Sequence, residues 1–250
     1  MSSIIQKVNS SRYNLKEILS SEWITDELPD LSDQEINKLY SLTSANLSPF
    51  PGVAGACNFS VRHKFIPSYK LHIIYYNFPE NGRKSSKVTR SACDKVENYY
   101  NEGYINNDDS LFIIINDTVS TSLEKSFEDL NIKLQGYYES SEIDENIQNE
   151  MKENNYHLDK KHFRNVHLFT IDNFTNNIFN HRLVPEQKAI REKEKIQSIL
   201  EECNCNLNQL PIILKDDIIS KMLRLANGDI CNILRNSDKC GVYPFYRVCK

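Results

Sequence analysis

Seven cysteines and six histidines supply the side chains from which metal sites and thiol chemistry are built, and their spacing decides whether they can act together. Cys203 and Cys205 form a C-x-C at the end of a predicted helix, whereas Cys57, Cys93, Cys231, Cys240 and Cys249 are scattered. No second C-x2-C and no H-x3-H lies at finger spacing, which argues against structural zinc. His157, His162 and His167 recur every five residues. That step fits neither one helical face nor one strand face, so they read as surface or internally satisfied histidines.

Nuclease chemistry needs an Asp at one strand end and an acid-x-Lys pair on the neighbouring strand, so that two carboxylates share a cation and the lysine polarises phosphate or water. Asp117 does follow an apolar, strand-like run. The acid-x-Lys pairs are Glu150-Met151-Lys152, Asp159-Lys160-Lys161 and Glu186-Gln187-Lys188, and none falls on a predicted strand, the last being held behind Pro185. A metal-dependent nuclease-like enzyme on the N-terminal α/β domain, residues 1–178, is the alternative reading. G-x-S-x-G, G-x4-G-K-[ST] and G-x-G-x-x-G are all missing, and with seven glycines in the chain a phosphate-cradling loop has little to be built from. No catalytic residue and no cofactor site is assigned.

The elements that would position these side chains can be read from periodicity. Val8, Leu15, Ile18 and Leu19 mark a first helix, and Ser32 with Glu35 three residues on marks a capping-box start of a second. Leu71–Phe78 is β-branched and aromatic and reads as a strand. Ser86–Gly103 reads as a helix with a glycine stop, Leu111–Ile115 as a strand buried on both faces, Ser120–Leu130 as a helix and Val166–Ile171 as a strand. This alternation predicts an α/β domain over 1–178, a mixed sheet with at least one parallel pair and flanking helices, interrupted by an exposed acidic insertion near 139–159. Residues 179–250 read as a small α+β domain: a helix over Arg191–Glu202, a short helix capped by Asp216 or Asp217, and two closing strands, Asp229–Arg235 and Val242–Cys249.

The composition is that of an ordinary globular chain: 250 residues, 40% hydrophobic and 26% charged, with a mean hydropathy of -0.54. No run approaches the ~18 apolar residues of a membrane span, and the first residues lack a basic segment followed by an apolar one, so a non-secreted, soluble protein with reduced thiols and no membrane partner is expected. The net charge of -4 argues against a general nucleic-acid binder. Charge is unevenly placed, however. Arg62–Lys95 holds eight Lys/Arg against Glu80 and Asp94, and Glu139–Asp159 holds seven acids against Lys152. Arg83, Lys84, Lys87 and Arg90 are the candidate contacts to a phosphate backbone.

Five short motifs at the C-terminal end occur in one order. They are His181-Arg182-Leu183-Val184-Pro185, Gln209-Leu210-Pro211 followed by Asp217, Leu225 with Gly228, Arg235-x-Ser237 with Gly241, and Tyr243 with Tyr246-Arg247. In that order and at that spacing they resemble H-x-L-V-P, Q-L-P and D-P, L-x-x-G, R-x-S-E-T-A-G and Y-x-x-Y-R of the fifth subunit of eukaryotic-type DNA-directed RNA polymerases, a family that takes in its archaeal counterpart. Upstream, Leu111–Leu130 and the passage 165–186 resemble the family more loosely, and the first ninety residues only in element order. The chain departs from the pattern in Ile218 for the proline after the aspartate, Arg224 for a glycine, Ser237-Asp238-Lys239-Cys240-Gly241 for S-E-T-A-G, and the acidic insertion.

The resemblance implies an N-terminal jaw domain beside downstream double-stranded DNA and a C-terminal assembly domain that docks on the largest polymerase subunit, in a non-catalytic subunit of a transcribing enzyme. It makes His181, Leu183, Pro185, Arg235, Tyr243, Tyr246 and Arg247 the subunit-interface candidates, with exposed strand edges and the aromatics Tyr243, Phe245 and Tyr246 as physical anchors. A free regulator borrowing the same docking site is a third reading. The abundance of asparagine points to an AT-rich, divergent lineage, a large DNA virus first and a protist second. The expected location is accordingly a virion or viral factory, or a nucleus if the source is cellular.

Overall fold

A computed structural model describes residues 3–42, 54–79, 87–239 and 241–250. Arg83 and Lys84 lie outside these residues. The chain divides into two compact units: Met1–Glu150 with Phe163–Asn177, and Met151–His162 with Ile178–Lys250.

In the first unit the elements run α1 (Ile4–Leu19), β1 (Trp23–Ile24), α2 (Asp33–Ser41), β2 (Phe59–His63), β3 (Lys70–Tyr76), α3 (Ser91–Asn101), β4 (Ser110–Ile115), α4 (Thr121–Glu139), α5 (Glu145–Glu153, its last three residues counted with the second unit), β5 (Val166–Thr170) and α6 (Asp172–Thr175). The sheet order is β1-β2-β3-β4-β5, antiparallel as far as β3 and parallel from β3 to β5. A mixed sheet follows from the sequence: helix α3 provides the crossover that a parallel β3/β4 pair requires. Every residue of β4 is buried. Leu111, Ile113 and Ile115 join α3 and α4 side chains such as Val96, Phe127 and Leu134 in one core cluster. On the opposite face Phe112 packs edge-on to Phe169, which meets Phe174 of α6, while Ser11 of α1 bonds the Tyr75 hydroxyl at 2.8 Å. Both faces are thus covered by helix, as a continuous apolar strand requires.

Helix starts follow local chemistry. Ser32 caps α2 with the reciprocal Glu35 bond, Ser120 caps α4, and Ser3 and Gln6 form a further capping box on α1. Helix α3 begins at Ser91, and α4 runs on to Glu139, past the expected stop at Leu130. The segment expected as an exposed acidic insertion holds α5, and Ile147, Met151 and Leu158 are buried, so its apolar residues are core. Glu142, Asp144, Glu145 and Glu153 are exposed, whereas Glu150 accepts from the Ser68 amide and hydroxyl at 2.9 and 2.8 Å.

The second unit contains β6 (Glu186–Ile190), α7 (Lys193–Glu202), β7 (Ile212–Ile213), α8 (Ile218–Met222), β8 (Ile230–Ser237) and β9 (Gly241–Cys249). Its sheet order is β6-β8-β9-β7, with β7 parallel to β9 and the other pairs antiparallel. Ile230, Val248 and the α7 residues Ile196, Ile199 and Leu200 pack on one face, and Ile213, Leu225, Cys231, Ile233 and Cys249 on the other. Asp217 caps α8 by accepting from the Ile219 amide at 2.8 Å. The expected single boundary at 178/179 differs from this division, which counts Met151–His162 with the C-terminal residues.

Candidate functional site

The second unit is organised by a turn and a hairpin. Leu225 is buried, Gly228 sits at φ +86°, and Asp229 follows with its side chain wholly buried. The positive φ is the reason a glycine is needed there. Arg224, at the position where the resembled family carries glycine, also adopts a left-handed conformation, with φ +53°.

Asp229 is the electrostatic centre of this unit. Nε2 of His162 donates to it with 3.0 Å to either oxygen, Lys161 Nζ lies 2.9 Å away, Arg191 Nε 3.7 Å away, and the Ala226 amide donates at 2.8 Å. Burial alone would push the Asp229 carboxyl up. The His162 hydrogen bond and the charges of His162, Arg191 and Lys161 outweigh it, so the group titrates below the usual carboxylate range. Burial lowers the His162 pKa and outweighs the pull of Asp229 in the other direction, with Arg191 and Lys161 adding to the lowering. This cluster ties the Met151–His162 segment to the sheet. The expectation of a satisfied histidine applies to His162, whereas His157 is exposed 3.4 Å from Asp159 and His167 is a buried β5 residue edge-on to Phe112.

The β8/β9 hairpin carries most of the interface candidates. Its register pairs Ile233 with Phe245, Arg235 with Tyr243 and Cys231 with Arg247, which puts all six side chains on one face. The Arg235 guanidinium lies 3.9 Å from the centre of the Phe245 ring and that of Arg247 5.6 Å from it. Tyr243 is 37% exposed. Tyr246 points to the other face, half-buried against the Ile199–Val248 cluster. In the approach to β6, Leu183 is 75% exposed and its amide bonds Nδ1 of the exposed His181 at 3.2 Å, with Pro185 half-buried behind it. The structure thus brings Arg235, Tyr243 and Arg247 together on one face, and places His181, Leu183 and Pro185 in the segment leading into β6.

Among the candidates for phosphate contact, Lys87 and Arg90 are exposed just ahead of α3, and Arg90 occupies the position before its first turn without a side-chain capping bond.

One expectation about metal chemistry is corrected: Glu186-Gln187-Lys188 does lie on a strand, β6. The pair is nonetheless spent on itself, with 2.6 Å between Lys188 and Glu186, and the residues facing it across β8 are Leu234 and Asn232, neither of them an acid. Among the described residues no group of three or more His, Cys, Asp or Glu is arranged to hold a metal ion.

Residues 176–249 match the family described as RNA polymerase Rpb5, C-terminal domain. Relatives include DNA-directed RNA polymerase subunit Rpo5 of Methanosphaera stadtmanae, 39% identical over 71 residues that cover 28% of this chain and 91% of the relative. The subunit Rpo5 of Pyrococcus horikoshii is 44% identical over 72 residues, 29% of this chain and 87% of the relative.

Proposed function

Because this chain belongs to the Rpb5 family of DNA-directed RNA polymerase subunits, we propose that it is a non-catalytic subunit of a multisubunit polymerase. In this reading it docks through the C-terminal unit on the largest subunit, while the N-terminal α/β unit forms part of the jaw beside downstream duplex DNA. The observation that carries the first half is one of coverage. The Methanosphaera protein is named as a polymerase subunit, and 91% of its length is the part that this chain shares. Whatever makes that small protein a subunit is contained almost wholly in the shared part, so the surface for assembly belongs to residues 176–249 here.

For the DNA half, Lys87 and Arg90, with Arg83 and Lys84 from outside the described residues, supply a run of positive charge ahead of a helix. Such groups position a duplex through its phosphates without reading sequence. The enzyme operates in a virion or viral factory if the lineage is viral, and in a nucleus if it is cellular.

The test is sedimentation of a native extract. The chain should travel with RNA-synthesising activity at the size of a multisubunit enzyme rather than as a free 29.1-kDa protein. Free sedimentation, together with magnesium-dependent DNA cleavage by the isolated chain, would instead support the nuclease reading. Charge reversal of Arg83, Lys84, Lys87 and Arg90 should weaken crosslinking to downstream DNA and flatten its salt dependence. An unchanged crosslink would remove those residues from the interface.

A further inference from the structure

Building on the reading of this chain as a polymerase subunit, we propose that an extended, carboxylate-bearing segment of another polymerase subunit adds as a strand to the open edge of β9 and sets its acids against Arg235 and Arg247.

Strand β9 runs from Gly241 to Cys249, but its neighbour β7 pairs with Val248 and Cys249 alone. Among the described residues no strand lies beside Gly241–Arg247 on the side away from β8. The direction of the main-chain groups follows from the pairing. The Cys249 amide donates to Asp229 at 2.8 Å on the β8 side, and the Val248 amide donates to Pro211 at 2.9 Å on the β7 side. The ladder to β8 is continuous from Ser237↔Gly241 to Ile230↔Val248, so the alternation carries back along the strand without a bulge. Val242, Pro244 and Tyr246 therefore turn their main-chain groups to the open side.

That edge is a poor one to leave uncovered. Val242, Tyr243, Pro244, Phe245 and Tyr246 form an unbroken apolar and aromatic run, and Val242 is 66% exposed. An exposed apolar edge is a template for another chain. The opposite edge, β6, is guarded by the charged Glu186 and Lys188, whereas the run on β9 carries no charge. Pro244 removes one donor at the middle of the open edge, which restricts an incoming strand to a register that asks only for the carbonyl there.

The chemistry of the occupant is set by the face beside this edge. Arg235 reaches from β8 over the Phe245 ring of β9, and Arg247 flanks the same ring. Among the described residues neither guanidinium has a carboxylate within salt-bridge distance. Two cations lined along one aromatic ring, next to free strand donors and acceptors, fit an extended segment whose side chains on that face are acidic.

The experiment compares the full-length wild type, Val242→Pro and the double variant Arg235→Glu/Arg247→Glu, each tagged and expressed in the native source. It reads recovery of the large polymerase subunits in high salt and hydrogen exchange of the Val242 and Tyr246 amides. Val242→Pro keeps the ladder to β8 because the amide it removes points outward. Both variants should lose about tenfold or more of the bound polymerase, and the two amides of the wild type should exchange slowly in the polymerase and fast in the free chain. If Val242→Pro fails to fold by circular dichroism, the arginine variant and the wild-type exchange decide. Wild-type recovery with undiminished recovery of the variants overturns the strand, as does protection of the amides by duplex DNA or by a second copy in the free chain. Failure of the wild type to recover any polymerase removes the subunit reading itself, and the strand with it.

Discussion

Nε2 of His162 lies 3.0 Å from each carboxylate oxygen of Asp229, across a separation of 67 residues, and neither side chain is exposed. Lys161 and Arg191 close the same carboxylate, so a single buried anion holds cations from two separate stretches of chain. Removing one partner of such a group leaves the others uncompensated. Asp229→Asn keeps one acceptor oxygen for the Ala226 amide, puts an NH2 where the other oxygen faced His162 and Lys161, and strips the counter-charge from Lys161 and Arg191. It should cost about 3–5 kcal/mol, measured as lost hydrogen-exchange protection of β8 and β9.

Acid should act on the same cluster. Both His162 and Asp229 are held below their ordinary values in the fold, so the unfolded chain binds these protons at higher pH than the folded one does. The stability they contribute is present above about pH 6.5, the ordinary histidine value, and falls as pH drops, first through His162 and then, below about 3.8, through Asp229. Exchange protection of β8 and β9 should weaken between pH 7 and pH 5 in the wild type. His162→Gln should flatten that dependence, and an unchanged slope would take His162 out of it.

Gly228 tests the turn that presents Asp229. A Cβ there would meet Lys161 Nζ at 3.7 Å, ordinary contact, so space is not the obstacle. The obstacle is the backbone, whose φ of +86° an L side chain rarely adopts. Gly228→Ala should therefore destabilise the unit by about 1–2 kcal/mol, read by denaturant titration with the same exchange reporters.

How much of this was legible in the sequence depended on whether the signal was local. The apolar run Leu111–Ile115, the Ser32/Glu35 pair and the Asp217 cap each carry their physics within a few residues, and the structure has β4, α2 and α8 at those places. Strand β1 has two residues, and β6, Glu-Gln-Lys-Ala-Ile, is polar because it is an edge. Neither offers a periodicity to read. The His162–Asp229 contact is non-local, and the five-residue histidine spacing gives no hint of it. The hairpin candidates came from motif order, and what that order could not supply was the stacking of Arg235 and Arg247 on Phe245 or the open edge of β9.

The thiols should divide sharply in reactivity. Burial pushes Cys231 up to about 12 and Cys57, Cys93 and Cys249 up to about 11, so these four remain protonated at neutral pH. Cys203 is exposed. Among the described cysteines, timed alkylation at pH 8 with peptide mapping should modify Cys203 first and the buried four only on unfolding. Fast labelling of Cys231 in the native protein would contradict its burial in the sheet.

Leu183 offers a test of the proposed interface that is separate from folding. At 75% exposure it contributes little to the fold, so Leu183→Asp should change stability by no more than about 0.5 kcal/mol. Covered by another subunit, the same side chain is an apolar anchor worth about 1.5–3 kcal/mol. Competition of mutant with wild type for incorporation into polymerase should therefore favour the wild type by roughly tenfold or more. Equal incorporation would place Leu183 outside the interface.

The most direct measurement is the copy number of this chain in its native polymerase, taken by mass spectrometry against labelled peptide standards after a high-salt wash. One copy per largest subunit is the predicted result. A chain that washes away, or is found in only a small fraction of the enzyme, would contradict its place as a built-in subunit.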